Sequence, residues 1–359
     1  MNKLNLKEIK DTFEGKRIFI TGHTGFKGSW LTYLLTEVGA DVTGFALPPT
    51  EQNNNFDLLN LKNKINHSVG DIRNFDLLRD QLIKNNPEII FHMAAQAIVS
   101  KSYEKTVETF ETNIMGSINV LESLKHLSDI KSLVYITSDK CYENVEKDEG
   151  YVESDILGGA DPYSASKAAA EIVYSSYRRS FFNKRNNFGS ASVRAGNVIG
   201  GGDWSKNRII PDCIRSIEDD VPLILRNPES TRPWQHVLEP ISGYLSIAKA
   251  LLQDPKKYSG SWNFGPNPKD IKTVKNVAEK FFSYLNSGEI KIKKDDKAFH
   301  EAVLLQLNCE KAKKRIGWQA RWRFEKTIDE TAKWYKFLME GGSAEEITKN
   351  QIKDYFNYD

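Results

Sequence analysis

Short apolar runs rich in β-branched and aromatic residues alternate along the chain with longer stretches whose apolar positions recur every three or four residues. The runs are RIFIT from Arg17, DVTGFAL from Asp41, EIIFHMAA from Glu88, SLVYITS from Ser132 and SASVRAGNVIG from Ser190. GDIRN (70–74) closes a further stretch that fits a third strand. Runs without a polar face predict strands buried on both sides, and helical segments between them predict parallel connections. The pattern therefore predicts an α/β fold: a Rossmann-type doubly wound parallel sheet with helices on both faces.

After about Asn197 the texture changes. Gly200, Gly201 and Gly202 stand in a row, and the loops GGGDWSKNRIIPD and NPESTRPWQHV carry proline, arginine and tryptophan. Beyond them LEPISGYLSIAKALL has apolar residues at helical spacing and predicts a return to the sheet. The expected organisation is a dinucleotide-binding domain of residues 1–195 with about 233–265 returning to it. A smaller C-terminal substrate-binding lobe is expected from 196–232 and 266–359.

Charge and cysteine usage exclude several classes. Fifty basic and 48 acidic residues give a formal charge of +2, so nothing global points to nucleic acid or a membrane surface. The start, MNKLNLKEIKDTFEGK, is polar, and no stretch approaches the roughly 18 apolar residues of a membrane span. Cys141, Cys213 and Cys309 are scattered in no metal-ligand spacing, as a reducing compartment permits. The expectation is a soluble cytoplasmic protein with no metal centre.

The chemistry starts at TGHTGFKG (21–28), where Gly22, Gly25 and Gly28 stand at intervals of three between the strand RIFI and a helical stretch. The spacing fits a tight turn. It also fits a phosphate cradle, in which backbone N–H groups and the positive helix end face a pyrophosphate, and the strand from Asp41 completes the βαβ unit that favours this second reading. An acidic partner for a cofactor ribose is expected about 20 positions on. Phe45-Ala46-Leu47 stands there instead, and no Lys or Arg for a 2′-phosphate follows before Lys62.

Asp71, beside Ile72, is placed to accept from an adenine amino group or to sit in a solvated turn. In HMAAQ (92–96) the small residues Ala94 and Ala95 let a ribose and a nicotinamide approach the backbone. In YSASK (163–167) Tyr163 and Lys167 share a helix face, so the ammonium can lower the phenol pKa and hold a ribose. Ser138 at the end of SLVYITS completes a serine, tyrosine and lysine set.

Together these motifs resemble the extended short-chain dehydrogenase/reductases that act on nucleotide sugars, over nearly the whole chain. Within that superfamily TGHTGFKGSWL, TSDKCYEN, GGGDW followed by RIIPD, RPWQHVLEP with SGYL, and HEAVLLQLNCEKAKKRIGW are similar to the CDP-glucose 4,6-dehydratase subfamily. Ala97 stands where that subfamily commonly has proline, and Ser100-Lys101 where arginines are often seen.

The resemblance implies NAD as cofactor, held by Gly22, Thr24, Gly25, Phe26, Lys27, Gly28, Asp71, Ile72, Ala94, Ala95, Gln96, Asn113, Thr137, Tyr163 and Lys167. It implies a nucleotide-sugar substrate, CDP-glucose, a homodimer or a dimer of dimers, and no nucleic-acid or membrane partner. A 4,6-dehydratase oxidises C4, removes the C5 proton, expels the C6 hydroxyl as water and returns the hydride to C6. Tyr163 then takes the C4 hydroxyl proton, Ser138 holds that hydroxyl, and Asp139 is the acid at the C6 oxygen. Lys140 occupies the place of a glutamate base in dTDP-glucose dehydratases, and serves as base only if neutral when the proton moves.

For the substrate the sequence offers Gln96, Ser138, Asn197, Arg208, Arg232 and His300, the arginines suiting a diphosphate, with Glu301 beside His300. Three readings stay open. They are a CDP-glucose 4,6-dehydratase, another nucleotide-sugar dehydratase or 4-epimerase of the superfamily, and a non-catalytic dinucleotide-sensing protein. The Ser138, Tyr163 and Lys167 set disfavours the last, and Asp139-Lys140 disfavours the epimerase.

Overall fold

The computed structural model describes residues 4–293 and 304–357. Its centre is a seven-stranded parallel sheet of β1 (Arg17–Thr21), β2 (Asp41–Ala46), β3 (Asn66–Val69), β4 (Ile89–His92), β5 (Ser132–Ile136), β6 (Gly189–Ala195) and β7 (Gly260–Phe264). The spatial order is 3-2-1-4-5-6-7, the doubly wound arrangement the alternating pattern predicts. Each expected run lies in a strand, and SASVRAGNVIG splits into β6 and the short Val198–Ile199.

Why the runs are apolar throughout follows from the two faces they fill. Ile18, Ile20, Phe91, Val134 and Ile136 join one buried cluster with Trp30, Tyr244 and Trp334, whereas Phe19, Ile90, Leu133 and Tyr135 join another with Val120 and Tyr174. Alternate residues of a strand point to opposite faces, so a sheet covered on both needs apolar side chains at every position.

Four helices position the site: α1 (Phe26–Glu37), α2 (Pro162–Ser180), α3 (Leu238–Gln253) and α4 (Phe324–Met339). Asp161 caps α2, accepting from the Ser164 N–H at 3.0 Å, and Pro162 occupies the first turn, where its missing N–H costs nothing. The chain leaving β6 is sewn to the dinucleotide side of the sheet: Trp30 Nε1 donates to Gly201 O at 2.8 Å. A Cβ on Gly201 would lie 1.9 Å from Trp334 Cγ, so only glycine fits between α1 and α4. The segment then returns through α3 to β7, which pairs with β6 over five residues from Gly260↔Ala191 to Phe264↔Ala195. Among the described residues no helix is long and apolar enough to cross a membrane.

Candidate active site

The strand order reverses between β1 and β4, and the crevice beyond the carboxyl ends of such strands is where parallel sheets bind ligands. The glycine-rich loop opens there. Gly22 has φ +77°, and a Cβ on it would lie 2.7 Å from the Ala94 backbone after β4. A Cβ on Gly28 would lie 2.1 Å from Gly22 O, so this glycine lets α1 pack against its own loop. Gly25 differs. Its φ is ordinary, and a Cβ there would meet nothing closer than Gly22 O at 3.4 Å.

Gly25 therefore serves neither turn nor packing; it keeps open the space before α1. As N-cap it offers no side chain to the first-turn N–H groups, and no acidic residue stands in that turn. A helix N-terminus so arranged fits the pyrophosphate of a dinucleotide. Thr24 Oγ1 donates to Leu47 O at 2.9 Å, tying the loop to the chain beyond β2. That strand ends at Ala46 with no acid.

Thr21 Oγ1 sits 2.7 Å from His92 Nδ1 and accepts from the Met93 and Ala94 N–H groups, joining the ends of β1 and β4. Burial drives the His92 pKa down to about 3, so the ring is neutral in this role. Asp71 is clasped by Arg73, at 2.9 Å from Nε and 2.6 Å from Nη2; the guanidinium overcomes burial and holds the carboxyl below its ordinary range. Ile72 is buried beside it. The side-chain amide of Gln96 bonds Ile98 and Thr109 within its own neighbourhood, and Asn113 bridges Gln96 to Ser166 of α2 at 2.8 Å.

The catalytic candidates gather past β5. Ser138 caps a single turn of helix at 139–141, accepting from the Lys140 N–H at 3.3 Å and donating to Asp139 Oδ1 at 2.8 Å. Burial raises the Asp139 pKa, against the opposing pull of the Lys140 ammonium. Its Oδ2 would lie 3.0 Å from a Cβ on Gly196, so the carboxyl fills the space under the chain leaving β6. Lys140 is half-buried beside it.

Tyr163 and Lys167 rise from the first turns of α2 on its sheet-facing stripe, with the ammonium 5.8 Å from the phenol ring centroid. The phenol is not lowered by Lys167 as the spacing predicts: burial pushes Tyr163 up to about 12, opposed by a hydrogen bond with Ser138. Burial, and then the Lys27 ammonium, bring Lys167 down to about 8. Lys27 is itself lowered to about 8 by burial and then by Arg208.

Arg208 is held by Asp203 at 3.0 Å and lies within electrostatic reach of both Tyr163 and Lys27. Arg232, buried in the strand Thr231–Pro233, acts on Asp139 in the same way. Lys27, Lys167, Arg208 and Arg232 thus outnumber Asp139 and Asp203, an excess of positive charge that suits a diphosphate. The Asn197 carbonyl accepts from the Gln235 N–H at 3.1 Å. His300 and Glu301 lie outside the described residues.

Sequence reasoning missed three charged groups here. Asp203 orients Arg208. Glu171 and Arg194 form a buried ion pair at 2.7 Å behind Thr137. Glu171 had a signal, four residues beyond Lys167 on the same stripe, and so did Arg194, a lone charge inside an apolar strand.

A family model described as GDP-mannose 4,6 dehydratase matches residues 19–331. The chain is 47% identical over 352 residues to a CDP-glucose 4,6-dehydratase of Salmonella typhimurium, covering 97% of this chain and 98% of that one. A dTDP-glucose 4,6-dehydratase from Bacillus anthracis, solved in complex with NAD, shares the fold with a TM-score of 0.75 at 24% identity, over 90% of this chain and 98% of that one. A UDP-glucose 4-epimerase from Thermotoga maritima shares it with a TM-score of 0.77 at 20% identity, over 90% and 99%. Dehydratases and epimerases thus sit on one fold, and the chain belongs to the GDP-mannose 4,6 dehydratase family.

Proposed function

We propose that this chain is a CDP-glucose 4,6-dehydratase, a hydro-lyase converting CDP-D-glucose to CDP-4-keto-6-deoxy-D-glucose and water. The observation that carries the reading is Asp139: a buried carboxyl with a raised pKa, hydrogen-bonded to the strand-end Ser138, directly before a lysine. Departure of a hydroxide equivalent requires a proton donor at the C6 oxygen, and burial shifts this carboxyl toward its protonated form. A 4-epimerase has no leaving group to protonate. The 47% identity to a CDP-glucose enzyme supports the nucleotide.

NAD, when bound, supplies the acceptor for the C4 hydride and its return to C6. Tyr163 takes the C4 hydroxyl proton, with Ser138 holding that hydroxyl; burial holds the phenol up at about 12, so the role requires the positive nicotinamide beside it to favour the phenolate. The 4-keto group then acidifies C5, Lys140 in its neutral amine form takes the C5 proton and later returns it, and Asp139 protonates the departing C6 oxygen. Lys27 and the glycine-rich loop would hold the cofactor pyrophosphate, and Arg208 and Arg232 the substrate diphosphate. Assembly as a homodimer or dimer of dimers, in the cytoplasm, belongs to the same reading.

The test is incubation with a panel of nucleotide-glucoses and mass analysis of the sugar nucleotide. CDP-glucose should lose one water. A product of unchanged mass with inverted C4 would replace this reading with the epimerase.

A further inference from the structure

We infer that the buried Glu171–Arg194 pair is a positioning couple, holding the elimination groups on the turn after β5 in register with the oxidation groups on α2. This rests on the dehydration proposed above. The oxidising residues Tyr163 and Lys167 stand on a helix, and Asp139 and Lys140 on a loop, so one substrate meets both sets only if loop and helix keep a fixed relation.

Glu171 lies one turn beyond Lys167 and is 1% exposed. Its Oε1 accepts from Thr137 Oγ1 at 2.5 Å, immediately before Ser138. Its Oε2 accepts from Ser192 Oγ at 2.8 Å and Arg194 Nη2 at 2.7 Å. Burial works to raise its pKa, but the Arg194 guanidinium and these hydrogen bonds overcome that and hold the carboxylate ionised. Arg194 Nη1 in turn donates to Tyr142 OH at 2.6 Å, immediately after Cys141. The pair therefore grips both ends of the turn 137–142 and ties them to the catalytic face of α2.

The grip reaches further. Tyr142 OH donates to Asn263 Oδ1 at 2.8 Å, and Asn263 Nδ2 donates to the Tyr151 carbonyl at 2.8 Å, whose N–H bonds Gln306. Tyr163 and Lys167 have anchors of their own in the Asp161 cap and the Ser166–Asn113 bond. Loss of the pair should free the loop while sparing the helix.

The test compares wild type with Tyr142→Phe, which cuts one link and spares the ion pair, and with the charge-neutral double variant Glu171→Gln/Arg194→Met. In NAD-bound protein without substrate, hydrogen–deuterium exchange over 138–142 should quicken in both while exchange over 163–167 stays as in wild type, and NAD affinity by calorimetry should hold within about threefold. With the nucleotide-glucose that wild type dehydrates, water loss should fall roughly 10- to 100-fold in the double variant, the scale of a small misplacement of reacting groups. Dihydronicotinamide absorbance should build up, because C4 oxidation persists. Arg194→Lys should not rescue, since an ammonium cannot fork to Glu171 and Tyr142 together.

Unchanged exchange over 138–142 overturns the inference. So does a lower melting temperature with normal turnover, or equal loss of oxidation and elimination. If wild type dehydrates nothing in the panel, the reaction assignment fails by itself, and the exchange data still decide whether the pair holds the turn.

Discussion

The loop after β1 and the turn after β5 lie two strands apart in one sheet, open to the same crevice, and are built on opposite principles. The β1 loop works by what it lacks: Gly22 and Gly28 allow backbones to meet at distances no Cβ permits, and Gly25 leaves a space unfilled. The β5 turn works by what it buries, with Ser138, Asp139 and Tyr163 each less than a tenth exposed and joined to Glu171 and Arg194 behind. A backbone site fixes position cheaply and binds. A side-chain site sets protonation states, and it depends on distant partners to do so.

Breaking the β5 side should cost most. Tyr163→Phe removes the phenol hydrogen-bonded to Ser138 and should lower turnover by about 10³- to 10⁴-fold. Cofactor affinity should stay near wild type by calorimetry, because the β1 loop is untouched. Near-normal turnover would mean that the proton leaves C4 by another route.

Breaking the β1 side should weaken binding rather than chemistry. Gly25→Val fills the open space and should weaken NAD by on the order of 100-fold, about 2.7 kcal/mol. Gly28→Ala should differ in kind, because its Cβ meets Gly22 O at 2.1 Å: overpacking of this sort destabilises by roughly 1–3 kcal/mol, visible in denaturant unfolding. If Gly25→Val leaves NAD affinity intact by calorimetry, the loop is only a turn.

The two principles explain how far each region is legible in the sequence. Glycine spacing is local, and the run pattern is local too, so β1, its loop, α1 and the sheet could be read directly. Tyr163, Lys167 and Ser138 were legible because their spacing and strand-end positions are also local. The pairing of Arg194 with Glu171 was not, since residues 23 apart meet only once β6 lies beside α2, and that of Asp203 with Arg208, five residues apart in an irregular loop, follows no helix or strand period. Gln96, expected at both cofactor and substrate, has its amide bonded to Ile98 and Thr109, contacts that no spacing rule foretells.

Asp139→Asn sharpens the comparison within the β5 turn. C4 oxidation should persist, since Ser138, Tyr163 and Lys167 remain, while elimination slows by about 10²- to 10³-fold for want of a general acid. Stopped-flow absorbance should then show reduced cofactor accumulating when CDP-glucose is added. Product at the normal rate would remove Asp139 from the mechanism.

The smallest effect concerns stability in the same variant. Burial raises the Asp139 pKa above its unfolded value, so the folded protein holds that proton more tightly than the unfolded chain does. The stability so conferred is fully present below the unfolded carboxyl pKa, and it is lost as pH rises through the folded one. Asparagine mimics the protonated acid and never ionises. Asp139→Asn should therefore melt higher than wild type at pH 8, by calorimetry without substrate, and the difference should shrink as the pH is lowered. The β1 loop offers a control, since Gly25→Ala changes no titrating group and its melting difference from wild type should not vary with pH. A variant that melts lower than wild type at every pH would mean that Ser138 and Lys140 hold the Asp139 carboxylate rather than the acid, and Asp139 would lose its claim to protonate the leaving oxygen.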